Sequence, residues 1–205
     1  MLKQHIILVV LMGLLVGNIH LLQAQNLNFG DIVINEFMAS NDSLSTITDP
    51  DGGNPDWIEL YNNTNEVVSL SGYYLSDNYT LPNKWAFPAT AIIQPNGYLI
   101  VWSDNQPDQA GIHTTFKLSS AGEEIVLSKP NLQALDSLSF GQQQTNVSYA
   151  RMPNGTGDFV FDTTPTPNAN NEENVGIFSN FCKILQNSAK FCKKSEMLQL
   201  LIRAE

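Results

Sequence analysis

Eight short apolar runs, punctuated by clusters of glycine, proline and asparagine, leave this 205-residue chain few folds to choose from. The spacing predicts strands over 31–38, 56–62, 72–76, 84–87, 97–102, 124–128, 132–138 and 148–151. Between them stand Asp51-Gly52-Gly53, Leu81-Pro82-Asn83, Gln94-Pro95-Asn96-Gly97, Ser120-Ala121-Gly122 and Lys129-Pro130-Asn131. Short strands parted by such turn formers are the signature of an antiparallel sandwich or barrel. No window before residue 172 carries a helical period of apolar residues.

Individual runs sharpen the expectation. In Trp57-Ile58-Glu59-Leu60-Tyr61 the two aliphatics share one face, and Trp57, Glu59 and Tyr61 share the other, which predicts a half-buried strand. Tyr98-Leu99-Ile100-Val101-Trp102 is apolar on both faces and reads as a central strand with a second layer over it. Residues 163–171, Thr-Thr-Pro-Thr-Pro-Asn-Ala-Asn-Asn, offer little to a core and read as an extended linker.

The two ends are different material. Lys3, the apolar run Ile6 to Gly17 and the small-residue end Leu22-Gln23-Ala24 follow the plan of a secretory signal peptide, and we expect cleavage after Ala24. The apolar run falls short of the roughly 20 residues of a membrane span. From Gln25 to Glu173 there are 18 acidic residues against Lys84, Lys117, Lys129 and Arg151, a net of −14. Such a surface repels phosphate backbones and anionic lipid, so nucleic acid is not an expected partner. Beyond Asn174 the charge turns basic, with apolar residues from Phe181 to Leu201 at roughly helical spacing; a short amphipathic helix and a poorly ordered end both fit. Cys182 and Cys192 lie in this tail, and within one helix they would be roughly 15 Å apart along the axis, too far to bridge. The acidic body contains no cysteine, so its own core has to hold it.

The main site candidate is Asp49-Pro50-Asp51-Gly52-Gly53-Asn54-Pro55-Asp56, which runs straight into the Trp57 strand. Calcium takes six to eight oxygens, and carboxylates at alternate positions of a glycine-containing loop can turn onto one ion. Asp49, Asp51 and Asp56 fit that need, with Asp77 available from another turn as a further calcium ligand. An EF-hand is excluded, because its fifth and twelfth positions would be Gly53 and Leu60. Plain turn chemistry explains the same residues. A carboxylate hydrolase needs two acids converging across a cleft, and Asp56 and Glu59 point to opposite faces of one strand. Nucleophilic catalysis finds no support: His113 is the only histidine after residue 24, and in its loop it reads as a surface residue. The aromatics Trp57, Tyr61, Tyr73, Tyr74, Tyr79, Trp85 and Trp102 fit a core, or, where exposed, a platform for glycan or protein.

Taken in order, the segments 32–41 (IVINEFMASN), 56–62 (DWIELYN), 70–77 (LSGYYLSD), 84–88 (KWAFP), 95–102 (PNGYLIVW), 120–127 (SAGEEIVL) and 148–157 (SYARMPNGTG), with Asp136-Ser137 between the last two, resemble the lamin tail domain family over about residues 30–170. The resemblance implies an all-β, immunoglobulin-like antiparallel β-sandwich of the secreted bacterial type. It implies a non-catalytic module with a structural, adhesive or ligand-binding role and a surface protein or glycan as partner. The acidic run before the Trp57 strand is similar to one in bacterial relatives, which strengthens the calcium expectation for that loop. The expected organisation is a signal peptide (1–24), the sandwich (25–170), and a linker with a basic tail (171–205), secreted or held at the cell surface as a monomer. A carbohydrate-binding module and a carboxylate hydrolase are the alternatives.

Overall fold

The computed structural model describes residues 27–171, so the signal peptide and the cysteine-bearing tail lie outside the described residues. Eleven strands follow one another without a helix among the described residues: β1 (Ile32–Met38), β2 (Trp57–Asn62), β3 (Val68–Ser69), β4 (Tyr74–Ser76), β5 (Trp85–Ala86), β6 (Ile92–Ile93), β7 (Tyr98–Trp102), β8 (Glu123–Ser128), β9 (Ala134–Phe140), β10 (Ser148–Met152) and β11 (Asp158–Asp162). They form a five-stranded sheet in the order β11-β10-β1-β2-β7, a four-stranded sheet β5-β4-β8-β9, and the small pair β3-β6. Every pairing between these strands is antiparallel.

All eight anticipated strands are present within one or two residues. The three that the sequence reading lacks have different causes. β3 and β6 are two residues each, below the length at which alternation can be read. β11, Asp-Phe-Val-Phe-Asp, has its two phenylalanines at alternate positions, a legible signal that the sequence reading missed.

The core lies between the sheets. Ile34 and Phe37 of β1, Ile58 and Leu60 of β2 and Val101 of β7 face Leu75 of β4, Ile125 and Leu127 of β8 and Leu135 of β9, all fully buried. Each such side chain contributes about 1.5–3 kcal/mol of hydrophobic stabilisation. Phe37 is an aromatic hub: its ring lies 4.5 Å from Phe140 across the sandwich and 5.8 and 6.2 Å from Tyr149 and Phe159 along its own sheet.

A bulge interrupts β1 between Ile34 and Glu36. The backbone it leaves unpaired is satisfied from outside the sheet. Asp136 Oδ2 accepts the Ile34 N–H at 2.8 Å, and Arg151 Nε donates to the Ile34 carbonyl at 2.8 Å. Arg151 also holds Asp136 through Nη2 at 3.0 and 3.2 Å, tying β9 of one sheet to β10 of the other.

Two expectations are corrected. Strand β2 is buried on both faces, Trp57 and Glu59 as completely as Ile58 and Leu60, because the outer face of its sheet is covered by chain segments rather than by water. Strand β7 carries apolar residues on both faces for the same reason, yet it stands at the edge of its sheet and not in the centre.

Candidate functional site

The outer face of the five-stranded sheet is built by alternation. Register places Met38 beside Trp57 and Trp57 beside Trp102, and in the next row Ala150, Glu36, Glu59 and Ile100 in sequence across four strands. The loop 39–56 covers the first row, with Ile47 packed on Met38, Trp57 and Trp102. Residues 163–171 cover the second and are no free linker: Thr166 donates its N–H and hydroxyl to Glu36 at 3.1 Å each, Asn168 donates its N–H to Glu59 at 2.6 Å, and Asn171 is 1% exposed. Two prolines, at 165 and 167, hold this strap extended. Between the two coverings runs a groove of about 680 Å³, with residues 44–48 as one wall, 163–168 as the other, and Ile100 and Trp102 in the floor.

Glu36 and Glu59 are the pair of converging carboxyls that sequence spacing did not reveal. Glu59 accepts the Asn35 amide at 2.9 Å as well as the Asn168 N–H. Burial pushes its pKa up to about 8 against those hydrogen bonds, and the neighbouring Glu36 adds to the rise. Glu36 is also raised, first by burial and further by Asp162, while Ser148 and Thr166 oppose the shift. A carboxylic acid that keeps its proton near neutrality is what general-acid catalysis needs. Here, however, the strap covers both groups and neither lines the groove. The polar shell is tightly determined: Asn35 Oδ1 accepts the Gly155 N–H at 2.9 Å, and Gly155 sits at φ +71 where a Cβ would collide with Asn63 Oδ1 and the Tyr61 ring. A side chain is thus excluded there on two grounds.

The four carboxylates expected at a calcium site do not gather into one cluster among the described residues. Asp77 pairs with Lys84 at 2.7 Å. Asp56 accepts the Asn41 N–H at 3.0 Å, and burial raises its pKa to about 6 against the opposing effects of that bond and of Lys117. Asp51 accepts the Ala110 N–H at 3.2 Å. Asp49 alone joins a cluster of metal-capable side chains among the described residues, and its companions are Asp104 and His113.

That cluster is where the Asp49 to Asp56 loop meets the loop after β7. Asp49 Oδ1 accepts the Gly53 N–H at 2.7 Å, curling its own loop, while Asp51 catches Ala110 of the other. The chain then returns beside β7: Trp102 N–H donates to the Ile112 carbonyl, and Thr114 N–H donates to the Trp102 carbonyl, both at 2.8 Å. Gly111 makes the close approach possible; it has φ +110, and a Cβ there would stand 3.3 Å from His113 Nε2, 3.4 Å from Pro50 and 3.5 Å from Trp102. His113 is consequently 3% exposed, which corrects its reading as a surface residue. The sequence signals that could have flagged the cluster are an aspartate two residues past a buried tryptophan and a glycine two residues before the chain's last histidine.

The tryptophans do not form a platform. Trp57 is 0% exposed, and Trp85 and Trp102 are 8% exposed. Phe29, at 82%, and Phe161, at 48%, are the most exposed aromatic rings among the described residues.

Against known proteins, a search of curated sequences returns no match. A family model described as Lamin Tail Domain matches residues 25–142, which takes in β1 to β9 and leaves β10, β11 and the strap beyond it. The match spans more than half of the chain and agrees with its all-β sandwich: this protein belongs to the lamin tail domain family.

Proposed function

We propose that the chain is a secreted, non-catalytic module that binds a partner at the cell surface through the groove between residues 44–48 and 163–168. The observation that carries this reading is the groove itself. Its volume falls within the 300–1,000 Å³ of ordinary ligand sites, and its lining combines an apolar floor of Ile100 and Trp102 with a rim of hydroxyls from Ser45, Thr46, Thr48, Thr163 and Thr164. Family membership supports a binding or structural role over a catalytic one. The burial of Glu36 and Glu59 under the strap supports the same choice, since an acid pair that meets no substrate performs no hydrolysis. Burial of all three tryptophans argues for a protein surface over a flat glycan as the partner.

The test is binding of the purified protein to cell envelopes of its own source. Wild type is expected to bind, and Ile100→Arg or Thr164→Trp, which place a charge in the groove floor or bulk in its wall, are expected to lose at least tenfold in affinity with the fold intact. Equal binding by these variants would remove the groove from the reading. Hydrolysis of a polysaccharide or other polymer that Glu59→Gln abolishes would overturn the non-catalytic reading. Secretion is checked separately by N-terminal sequencing of protein recovered from the medium, where Gln25 is the expected first residue.

A further inference from the structure

We propose that Asp49, Asp104 and His113 form a binding site for a divalent d-block cation, of which Zn2+ is the best fit. One ligand atom from each of the three side chains lies within 4.8 Å of the others, and all three residues are at least nine-tenths buried, at 6%, 5% and 3% exposure. Surface carboxylates gather for many reasons, but two carboxylates and an imidazole enclosed together have to be compensated by positive charge.

The hydrogen bonding of His113 points to where that charge sits. Its Nε2 lies 2.9 Å from the Ala110 carbonyl, an acceptor only, so Nε2 carries the ring proton. Nδ1 faces Asp104 Oδ2 at 3.0 Å, a contact made favourable by a proton, as in an imidazolium–carboxylate pair, or by a metal ion that both atoms ligate. A histidine whose far nitrogen donates to a main-chain carbonyl is the arrangement that orients metal-bound imidazoles. Two ligands on one tetrahedral Zn2+ with bonds of 2.0–2.2 Å stand about 3.3–3.6 Å apart, so the 3.0 Å contact has to open by only a few tenths of an ångström to admit the ion.

Asp49 is fixed in place at this point: it is 6% exposed, and its Oδ1 accepts the Gly53 N–H at 2.7 Å, which holds the carboxylate within ligand distance of Asp104 and His113. The nitrogen ligand and the small number of oxygens favour Zn2+ over Ca2+, which prefers six to eight oxygens. Three protein ligands leave a fourth position for water. The ion would join the loop before β2 to the loop after β7, adding a cross-link to the Ala110–Asp51 and Ser103–Asp56 hydrogen bonds that now connect them.

The test uses the full purified chain with Cys182 and Cys192 alkylated, and Zn2+, Co2+ or Ca2+ added alone. Zn2+ at a hundredfold excess over its Kd is expected to raise the melting temperature by about 5–10 °C. Co2+ is expected to give visible d–d absorption and to broaden the NMR signals of His113 and Trp102, whose rings are 6.4 Å apart. His113→Gln and Asp49→Asn, which preserves the Oδ1 acceptor, should lose both responses, while Asp56→Asn should keep them. Where a variant fails to fold, the position of the Co2+ broadening in the wild-type chain decides alone. No Zn2+ shift at millimolar metal, Co2+ broadening centred elsewhere, or a His113 ring that carries both protons and ignores added metal would each overturn the proposal.

Discussion

Glu36 and Glu59 face one another across β1 and β2 beneath the strap, and their hydrogen bonds come from Asn35, Ser148, Thr166 and Asn168. An arrangement of this kind stores a pH dependence of a definite sign. Glu59 has a folded pKa near 8 against an ordinary value of 4.5, so the native state holds a proton that the unfolded chain has released. Its contribution to stability is complete below about pH 4.5 and is lost as the pH rises through about 8. Urea unfolding at pH 5, 6.5 and 8 is expected to show a decline on the order of a few kcal/mol. In Glu59→Gln the profile should be markedly flatter, although that variant starts lower because its amide brings a donor where Asn35 or Asn168 already donates. A wild-type stability that rises over this range would contradict the assignment.

Arg151 is the second residue with a measurable price. Its guanidinium holds Asp136, the Ile34 carbonyl and the Gly157 carbonyl, and lies 4.5 Å over the Phe159 ring. Arg151→Met keeps the packing and leaves Asp136, 3% exposed, as an uncompensated buried charge. A loss of about 3 kcal/mol is expected, as for other broken buried pairs. Adding Asp136→Asn to Arg151→Met should recover part of it, and a double-mutant cycle showing strictly additive losses would mean that the pair is not coupled.

Truncation addresses the strap. A chain ending after Asp162 keeps every strand but loses the donors from Thr166 and Asn168 and the buried Asn171. We expect it to fold, to lose about 2 kcal/mol at acidic pH, and to show a much smaller acid-to-neutral slope, because water then reaches Glu59. Unchanged melting would show that the strap does not seal the carboxylates. A chain ending at residue 142 is expected not to fold, because β1 then lacks its β10 partner and Asp136 lacks Arg151.

Gly111→Ala probes the contact between the two loops. The substitution forces a side chain onto positive φ in a space bounded by His113, Pro50 and Trp102. The expected cost is about 1–2 kcal/mol. Displacement of the His113 and Trp102 NMR signals, with those of the Phe37 cluster unmoved, would localise the strain to this end of the sandwich.

The strands were legible because alternation and turn chemistry are local properties, and eight of them declare themselves in 31–38 through 148–151. What covers them was not. Nothing within Trp57 to Tyr61 tells that the loop just before it and a segment more than a hundred residues later close over its second face. The strap looks like a linker because its contribution is backbone N–H groups, which every residue but proline has, and composition does not report where they point. His113 was misread for a related reason: loop residues are exposed as a rule, and this loop is folded back on β7 by a glycine and two main-chain bonds. Of the acidic loop, Asp49 was placed in a cluster and its partners were unreadable, being 55 and 64 positions away.

The return of residues 112–114 along β7 also bears on how copies of this chain meet. A sheet extends by offering unpaired N–H and C=O groups at its margin, and in β7 the Trp102 pair is already taken by Ile112 and Thr114. At the opposite margin, β11 begins and ends with Asp158 and Asp162, so an approaching identical strand meets carboxylates at both ends. The five-stranded layer is therefore stopped on one side by its own backbone and on the other by charge, a construction that lets a strongly acidic β-rich protein be crowded at high concentration without its sheets joining end to end.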